Sequence, residues 1–351
     1  MKVFDLMSHR NHEQLSFWND PELGYRGIIA IHDTTLGPAL GGTRFWNYES
    51  DEAAVVDALR LSRGMTYKAA ITGLNLGGGK SVIWGDNKMI DREMIFRAHG
   101  RAVEALGGRY ITAEDVGTSP DDMEFVSMET DHAVGLLGRS GDPSPVTAYG
   151  VYVGIKASAA ARYGNDSLAD KHVLVQGLGH VGYCLCEDLA KEGAKLTVTD
   201  IDQARVQRVV EEFDATAIAP EAVYDTEADI YAPCALGAVV NDDTIDRLKF
   251  DIIAGAANNV LARGQVHGPA INERGILYAP DYVINAGGLI NVYGEIHEWT
   301  AERSKRKAGD IYNTLLRIFE LAKSEGIGTH AAANKEAERR VMEARHLQRT
   351  W

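Results

Sequence analysis

The segment QGLGHVG at residues 176–182 constrains the fold of this chain more than any other stretch. Its glycines, Gly177, Gly179 and Gly182, have the spacing G-x-G-x-x-G, which is weak evidence alone because glycine-rich turns are common. Here the run HVLVQ leads in with the composition of a buried strand, and YCLCEDLAKEGA leads out with the periodicity of a helix. Strand, glycine turn and helix in this order predict a Rossmann-type dinucleotide-binding unit.

Each glycine of this turn has a physical role. Gly177 permits the tight turn, Gly179 lets the backbone approach the pyrophosphate, and Gly182 lets helix and strand pack closely. The first N–H groups of the helix add donors and a positive dipole for the phosphates. Cofactor contacts are therefore expected from the whole turn, which comprises Gly177, Leu178, Gly179, His180, Val181 and Gly182.

The end of the following strand indicates which dinucleotide binds. KLTVTD ends on Asp200, close to the expected spacing of about 20 residues beyond the turn. A carboxylate there accepts hydrogen bonds from the adenosine ribose hydroxyls and repels a 2′-phosphate. No arginine follows at once, since Arg205 comes five residues later. The sequence therefore predicts NAD rather than NADP.

The rest of the chain divides at GRSGDPSPVT, residues 138–147, which has the glycine and proline content of a loop between domains. Downstream, short apolar runs alternate with helical or loop segments, as buried parallel strands do. These runs are KHVLVQ, KLTVTD, ADIYAP, FDIIAG and GILYAP. We predict an α/β protein with a first α/β domain over residues 1–140, a doubly wound parallel sheet over 148–330 and a C-terminal helix over 331–351. That helix is expected to pack on the first domain or on a neighbouring subunit.

Composition excludes several classes of protein. The chain has 351 residues, a formal net charge of −14 at pH 7, 45% hydrophobic residues and 25% charged residues. This length favours two domains in a soluble globular protein. The negative charge disfavours nucleic acid and anionic membranes as partners, because both need clustered lysine and arginine. The N-terminal segment has no apolar stretch typical of a signal peptide, and no run is long enough for a transmembrane helix.

Cysteine content indicates a reducing compartment, so a cytoplasmic location is expected. The chain has three cysteines, a small and odd number. Cys184 and Cys186 lie two residues apart in a helical pattern and point to different faces, which favours core residues over metal ligands. The sequence predicts no metal site.

A second glycine-rich segment, GLNLGGGKSVIWGD at residues 73–86, has several interpretations. Its end matches a phosphate-binding P-loop at Gly79, Lys80 and Ser81, but Gly73 lies one residue too far upstream. The run that follows Ser81 predicts a strand rather than the required helix. The alternatives are a glycine turn with a solvated lysine, or a turn that holds Lys80 in a partly dry place where its amine reacts.

An NAD-binding domain beside a second domain predicts hydride transfer in the cleft between them. The first domain should then supply acid–base groups and a substrate clamp, for which Lys68, Lys80 and Asp115 are candidates. A lysine that loses hydration beside glycine backbone and a second cation has a lowered pKa and becomes a usable base. Lys68 could pair with a substrate carboxylate. From the residues alone, a surface charge is the more common role for any one charged residue taken by itself.

Two further segments follow strand-like runs of the second domain. APCALG, residues 232–237, contains Cys234 and Ala235, and GAANN, residues 255–259, contains Asn258. Ligands of open α/β sheets bind at the carboxyl ends of strands, so these residues are candidates for cofactor contact. Asparagine after a strand equally forms an ordinary turn.

Across nearly its whole length the chain resembles the amino-acid dehydrogenases related to leucine, valine and phenylalanine dehydrogenase. Several long motifs in one order are far more specific than a glycine fingerprint. The matching stretches are LGPALGGTRFWNY, YKAAITGLNLGGGKSVIWGD, YITAEDVGTSPDDM, VTAYGV, VQGLGHVG, APCALG, GAANN and APDYVINAGGLINV. The resemblance implies reversible NAD-dependent deamination of an L-amino acid to a 2-oxo acid, ammonium and NADH, by a homo-oligomer such as a dimer or an octamer.

The resemblance also implies roles for individual residues. GGGKS resembles a catalytic lysine turn, so that Lys80 would activate water, Lys68 would bind the substrate carboxylate, and Asp115 would move the proton of the amino nitrogen. Gly41 and Gly42 would let the backbone approach the substrate. Thr147 and Asn258 would hold the nicotinamide end, and Asn258 would also contact the substrate.

The side-chain pocket expected from the resemblance is apolar, with Leu40, Ala113, Leu289 and Val292 at its positions. Without a lysine and a hydroxyl for a distal carboxylate, a glutamate side chain would be costly to bury. Ala113 is similar to the leucine enzymes, whereas Leu289 is similar to the phenylalanine enzymes. We therefore expect leucine, isoleucine and valine as substrates, with phenylalanine or tryptophan as the alternative. A catalytically idle NAD-binding protein is the remaining alternative, and intact Lys68, Lys80 and Asp115 argue against it.

Overall fold

The computed structural model describes residues 2–136 and 142–349, so residues 138–141 of the predicted interdomain loop lie outside the described part. The chain forms two compact units. The first contains Met1–Gly141, Val292–Glu298 and Ala337–Trp351, and the second contains Asp142–Asn291 and Trp299–Glu336. No helix of the described residues has the length and apolar character needed to cross a membrane.

The first unit is built on a mixed sheet. Its strands are β1 (Gln14–Asp20), β2 (Tyr25–Asp33), β3 (Ala39–Trp46), β4 (Gly77–Trp84) and β5 (Tyr110–Glu114). Within residues 2–136 they form a five-stranded sheet in the order β1-β2-β4-β3-β5. β2 pairs antiparallel with β1 and β4, whereas β3 runs parallel to β4 and β5. This order places β4 and β3 in the interior of the sheet.

The helices of the first unit begin at clear local signals. They are α1 (Val3–Arg10), α2 (Asp51–Ile71), α3 (Glu93–Glu104) and α4 (Pro120–Ser127). Ser50 caps α2 by accepting a hydrogen bond from the Ala53 amide at 3.1 Å. Ser119 and Asp122 form a reciprocal capping box at the start of α4.

The glycine run before Lys80 is part of strand β4, so the turn predicted there is wrong. Gly77, Gly78 and Gly79 are its first residues, and none of them has a positive φ. They are glycines because neighbouring elements leave no room for a side chain. A Cβ at Gly78 would lie within 3.0 Å of the Thr66 amide nitrogen on α2, and one at Gly79 would lie within 3.0 Å of the Tyr110 ring. Small residues therefore bring α2 and β5 close to β4.

The second unit has the regular alternation that the sequence predicted. Its strands are β6 (His172–Gln176), β7 (Lys195–Thr199), β8 (Thr216–Ala217), β9 (Ala228–Pro233), β10 (Phe250–Ile253) and β11 (Leu277–Tyr278). Within residues 142–349 they form a six-stranded parallel sheet in the order β11-β10-β9-β6-β7-β8. The five predicted apolar runs are confirmed as strands. The two-residue β8 was not predicted, because both of its residues are exposed and carry no apolar signal.

The remaining helices follow in chain order: α5 (Ser144–Tyr163), α6 (His180–Lys191), α7 (Gln203–Phe213), α8 (Gly264–Glu273), α9 (Asp281–Ile284), α10 (Gly287–Ile296), α11 (Ala301–Gly309), α12 (Ile311–Glu325) and α13 (Thr329–Arg349). Short 3₁₀ turns lie at Pro220–Asp225 and Ile245–Arg247. α6 follows β6 directly, which gives the strand, turn and helix of a dinucleotide unit.

The C-terminal part of α13 contacts the first unit, to which residues from Ala337 onward belong. The Arg340 guanidinium donates hydrogen bonds to the carbonyl groups of Ala69 at 3.2 Å and Ala70 at 2.6 Å, near the end of α2. Arg345 pairs with Asp33 of β2. The last carbonyl groups of a helix have no hydrogen-bond partner within that helix. Arg340 supplies donors to two such carbonyl groups of α2.

A Gly78→Ala substitution is expected to lower the free energy of unfolding of the first unit by about 1–3 kcal/mol, because α2 must move away from β4. The measurement is urea-induced unfolding. Gly64→Ala is the matched control, since Gly64 lies in α2 with open space around its Cβ direction. That variant should gain up to about 1 kcal/mol from helix propensity. Equal stability of Gly78→Ala and the wild type would contradict this account of the glycine run.

Candidate active site

Lys80 lies in the interior of the first unit and pairs with an acid. It is in the central strand β4, opposite Ala30 of β2, and only 5% of the residue is exposed. Its Nζ lies 2.7 Å from Oδ2 of Asp115, which follows the last residue of β5. Burial lowers the pKa of Lys80, although Asp115 acts in the opposite direction. The amine is therefore an unusually good proton acceptor for a lysine.

Arg44 is a member of this charge cluster that the sequence did not single out. Its Nε donates to the same Oδ2 of Asp115 at 3.0 Å, and its Nη1 donates to Asp57 of α2 at 2.9 Å. Burial alone would raise the pKa of Asp115, but Lys80 and Arg44 outweigh it and hold the pKa below the usual value. Asp115 is therefore ionised at neutral pH. The only sequence signal for Arg44 is its place in LGPALGGTRFWNY, two residues after Gly42.

Gly41 and Gly42 bring neighbouring backbone close to this cluster. A Cβ at Gly41 would lie within 3.0 Å of the Gly79 carbonyl, and one at Gly42 would lie within 3.0 Å of the Glu114 carbonyl and the Asp115 Cβ. Substrate approach was the predicted reason for these glycines. In the structure, the space that their side chains would need is filled by β4 and by the residues at the end of β5.

Tyr110 holds the backbone at Gly41 from the other direction. Its hydroxyl donates to the Gly41 carbonyl at 2.5 Å and lies 3.1 Å from the Ser81 hydroxyl. Burial raises the pKa of Tyr110 to about 12, so the phenol stays protonated and remains a donor. The hydroxyl therefore connects β5 to β3 and β4 beside Lys80.

The other predicted residues of the first unit have varied positions. Lys68 is half-buried in the last turn of α2. Leu40 and Ala113 are buried on β3 and β5, where Ala113 pairs with Gly42. Val292 is half-buried on α10, and Leu289 is buried one helical turn earlier on the same helix, in the segment assigned to the second unit.

In the second unit, the three glycines of QGLGHVG have different surroundings. Gly177 has a φ of +98°, a conformation that glycine adopts without strain. A Cβ at Gly182 would lie within 3.0 Å of the Gly177 carbonyl, so α6 packs closely against the turn. At Gly179 the Cβ direction is open, with Arg205 Nη1 nearest at 3.8 Å. Leu178 is buried, while His180 and Val181 begin α6.

Asp200 lies at the end of β7 in a fixed orientation. Its Oδ2 accepts a hydrogen bond from the Leu178 amide at 2.6 Å, and its Oδ1 accepts one from the Asp202 amide at 2.9 Å. Arg205, distant in sequence from the glycine turn, is close to Gly179 in space and pairs with Asp202 at 3.3 Å. The carboxylate at the strand end is thus tied to the turn itself.

Strand ends on both sides of β6 carry exposed apolar residues that the sequence analysis missed. Ile201, after β7, is 93% exposed, and Leu236, after β9, is 77% exposed. The Cys234 amide donates a hydrogen bond to the Gln176 carbonyl at 2.7 Å. Ala235 packs so closely against the turn that a Cβ added at Gly177 would lie within 3.0 Å of it. Burial raises the pKa of Cys234 to about 12, so its thiol is neutral and not a nucleophile.

Asn258 is exposed, and Asn285 fixes its orientation. The buried Asn285 Nδ2 donates to Oδ1 of Asn258 at 2.7 Å and to the Ala256 carbonyl at 3.0 Å. The amide nitrogen of Asn258 therefore points away from Asn285, in a direction in which it can donate a hydrogen bond to another group. Thr147 is half-buried in α5, where its hydroxyl bonds the Pro143 carbonyl at 3.0 Å. Among residues 2–136 and 142–349, no group of acids, cysteines and histidines has the arrangement of a metal site.

Comparison with known proteins identifies the family. The model of the "Glu/Leu/Phe/Val dehydrogenase, dimerisation domain" matches residues 12–132, and that of "Glutamate/Leucine/Phenylalanine/Valine dehydrogenase" matches residues 196–349. Leucine dehydrogenase of Bacillus subtilis (strain 168) is 56% identical over 97% of this chain and 94% of that protein. The chain belongs to the Glu/Leu/Phe/Val dehydrogenase family. It is therefore an amino-acid dehydrogenase, as its motifs predicted.

Relatives named for other amino acids are nearly as similar. Phenylalanine dehydrogenase of Bacillus thermotolerans is 47% identical over 97% of this chain and 90% of that protein. The crystal structure of L-tryptophan dehydrogenase from Nostoc punctiforme superimposes with a TM-score of 0.89 at 46% identity, covering 98% of this chain and 99% of that one. This similarity over nearly the whole chain confirms the predicted two-domain α/β fold, with a first α/β domain and a second domain built on a Rossmann-type sheet. The comparisons leave the preferred amino acid open.

Two glycine variants test the dinucleotide turn. Gly179→Ala should keep the wild-type thermal midpoint, because its Cβ direction is open, but weaken binding of reduced pyridine nucleotide about tenfold or more, because the methyl group blocks the pyrophosphate. Gly182→Ala should lower the thermal midpoint, because its Cβ overlaps the Gly177 carbonyl. Fluorescence titration and thermal unfolding measure the two effects. Unchanged nucleotide affinity in Gly179→Ala would exclude this turn as the phosphate site.

Proposed function

We propose that the protein catalyses the reversible, NAD-dependent oxidative deamination of a branched-chain aliphatic L-amino acid. Leucine, valine or isoleucine, NAD⁺ and water would give the 2-oxo acid, ammonium, NADH and a proton. The observation that carries the proposal is the pair formed by the buried Lys80 and the half-buried Asp115 at 2.7 Å, in a chain whose second unit has the strand, glycine turn and helix of a dinucleotide site. Membership of the amino-acid dehydrogenase family supports it.

The first unit supplies the acid–base groups. The lowered pKa of Lys80 leaves a larger neutral fraction of its amine at moderately alkaline pH, so Lys80 takes a proton from the water that attacks the iminium carbon. Asp115 is ionised before the reaction, so its carboxylate can accept the proton of the substrate amino group and become neutral, and it is ionised again when it returns that proton to the departing ammonia. The half-buried ammonium of Lys68 pairs with the substrate carboxylate.

The second unit supplies the cofactor site. NAD, when bound, accepts the hydride from the α carbon of the amino acid. The open space at Gly179 and the amides of the first turn of α6 suit a pyrophosphate. Further contacts come from Leu178, His180 and Val181 around the turn, from Cys234 and Ala235 after β9, and from Thr147 and Asn258. The exposed side chains of Ile201 and Leu236 offer apolar surface for the adenine ring.

Asp200 supports NAD over NADP. Its two oxygens are held by backbone amides of Leu178 and Asp202, so the negative charge has a fixed position at the strand end. A 2′-phosphate at the ribose would be repelled by that charge. The guanidinium of Arg205 lies near Gly179, but it is paired with Asp202, which partly neutralises its positive charge.

The residues predicted for the side-chain pocket support an apolar substrate. Leu40, Ala113, Leu289 and Val292 carry no group that could bind a second carboxylate, so a buried glutamate side chain would lose hydration without compensation. Leucine dehydrogenase relatives at 53–56% identity favour the aliphatic substrates. The tryptophan and phenylalanine dehydrogenases at 46–47% identity keep an aromatic amino acid as the second candidate.

A homo-oligomer, a dimer or an octamer, is part of the proposal. Its support is the matching family model over residues 12–132, whose description contains the words "dimerisation domain". Light scattering of the purified protein would measure the mass directly, and a monomer of 38.2 kDa would contradict it.

The first functional test is a substrate panel. The purified protein receives NAD and, separately, leucine, valine, isoleucine, phenylalanine, tryptophan and glutamate, and formation of NADH is followed by absorbance. Leucine or its branched relatives should give the highest kcat/KM. Highest values with phenylalanine or tryptophan would keep the reaction and replace the substrate class. No NADH from any of the six would reject the proposed function.

Lys80→Ala should lower kcat at least ~100-fold, because no other group replaces the base, while the dissociation constant of NADH stays at the wild-type value. Lys88→Ala, in the loop after β4, removes a lysine from the same unit outside the candidate site and serves as the control. Wild-type turnover of Lys80→Ala would remove the proposed role of this lysine.

Asp200→Ala should raise the KM for NAD and reduce the preference for NAD over NADP, because the repulsive charge at the ribose is lost. Steady-state kinetics with both cofactors give the ratio of kcat/KM values. Arg205→Ala is expected to retain the NAD preference. If the Asp200 variant discriminated as strongly as the wild type, another group would have to set the preference.

A further inference from the structure

The Asp115 carboxylate is held by two cations on one oxygen. Oδ2 accepts from Lys80 Nζ at 2.7 Å and from Arg44 Nε at 3.0 Å. The side chain of Arg44 is 20% exposed, so these contacts are largely shielded from water. A carboxylate bound in this way has little freedom to rotate, because a rotation breaks two charge-assisted hydrogen bonds at once.

The other side of the Arg44 guanidinium is anchored on α2. Nη1 donates to Asp57 Oδ2 at 2.9 Å. Asp57 is fixed in turn by the Tyr48 hydroxyl at 2.8 Å and by Arg60 Nη2 at 2.9 Å. Arg44, which lies on β3, thus joins Asp115 at the end of β5 to Asp57 on α2.

Only an arginine makes this bridge. A guanidinium is planar and presents separate N–H donors in a rigid arrangement, whereas the ammonium of lysine is a compact point charge on a flexible stem. The bridge in this structure uses Nε for one carboxylate and Nη1 for the other. A lysine at position 44 would keep the charge but could not reproduce both directions.

We infer that Arg44 is a positioning residue, whose guanidinium binds Asp57 and Asp115 together and so holds the Asp115 carboxylate against the Lys80 amine. This inference rests on the proposed function, since it concerns the acid that would carry the proton of the amino group. Arg44 does not itself react, and its effect passes through Asp115.

The electrostatic consequence has a definite sign. Asp115 is surrounded by charged and titratable side chains from β3, β4, β5, α2 and the segment before α2, namely Arg44, Lys80, Tyr110, Glu114, Asp57 and Tyr48. Its pKa is lowered chiefly by the two cations, against the effect of burial. Removal of Arg44 takes away one cation and loosens the contact with the other, so both effects raise the pKa of Asp115.

The test compares Arg44→Gln, Arg44→Lys and a matched control. Arg97→Gln is the control, because Arg97 is an arginine of the same unit that also bridges two acids, but those acids are Glu93 and Glu129 rather than Asp115. For each protein the pH profile of kcat/KM for oxidative deamination, the dissociation constant of NADH and the thermal midpoint are measured.

Arg44→Gln should lower kcat roughly 10- to 100-fold through misplacement of Asp115. It should also move the acid limb of the profile to higher pH, because that limb follows the loss of a proton from Lys80, whose pKa Arg44 also lowers. Arg44→Lys should return the acid limb of the profile to its wild-type position, because the positive charge is restored. Its kcat should stay below the wild-type value, because lysine cannot hold both carboxylates. Arg97→Gln should resemble the wild type in both, and NADH affinity should be unchanged in all three.

A measurement independent of turnover separates this inference from the proposed function. In protein labelled with [γ-¹³C]aspartate, the Asp115 signal is assigned by its loss in Asp115→Asn, and its titration midpoint is followed. The midpoint should rise in Arg44→Gln and stay in place in Arg97→Gln. If the wild type formed no NADH from any amino acid, the proposed function would fail, and this titration would still decide the role of Arg44.

Three results would overturn the inference. The first is a wild-type midpoint and pH profile in Arg44→Gln. The second is a lower thermal midpoint in that variant without any change in the profile, which is the behaviour of a purely structural residue. The third is full recovery of kcat in Arg44→Lys, which would show that charge alone is needed.

Discussion

The burial of the Lys80 amine is the constraint on which the first unit depends. An ammonium that is taken out of water costs several kcal/mol unless an opposite charge is held at hydrogen-bond distance. Asp115 meets this need at 2.7 Å, and Arg44 and Asp57 extend the alternation of charge towards α2. The cluster therefore requires β3, β4, the end of β5 and α2 to lie within a few ångströms of one another.

Glycine makes this proximity possible. At Gly41, Gly42 and Gly78, an added Cβ would overlap the backbone of a neighbouring element. The same residues that weaken strand propensity therefore permit the contacts that bury the amine. Tyr110 adds rigidity, because its ring covers Gly79 while its hydroxyl binds the Gly41 carbonyl. Fold and candidate site are thus products of one packing arrangement rather than separate features.

Sequence reasoning was most successful where the signal is local. In the second unit, every strand except the exposed β8 was predicted from a buried apolar run, and the glycine turn was located by its spacing together with the strand and helix that flank it. In the first unit the same reasoning interpreted GGGKS as a turn, because glycine is common in turns and rare in the interior of strands. The strand became evident only from its neighbours, which exclude a side chain at each glycine. The bridge of Arg44 was missed for a related reason, since an arginine near glycines has no distinctive pattern.

The sequence by itself determined the Rossmann-type unit, the family and the residue types available for chemistry, because these depend on short spacings and on periodicities of strand and helix. Tertiary structure decided which charges meet. Arg44 and Asp115 are 71 residues apart and Arg44 and Asp57 are 13 apart, and sheet register together with the packing of α2 brings all of them together. Tertiary structure also decided that Lys80 is buried and that Arg205 lies beside Gly179. Hydrogen bonds and charge shielding depend on distances of a few ångströms, and spacing along the chain does not specify such distances.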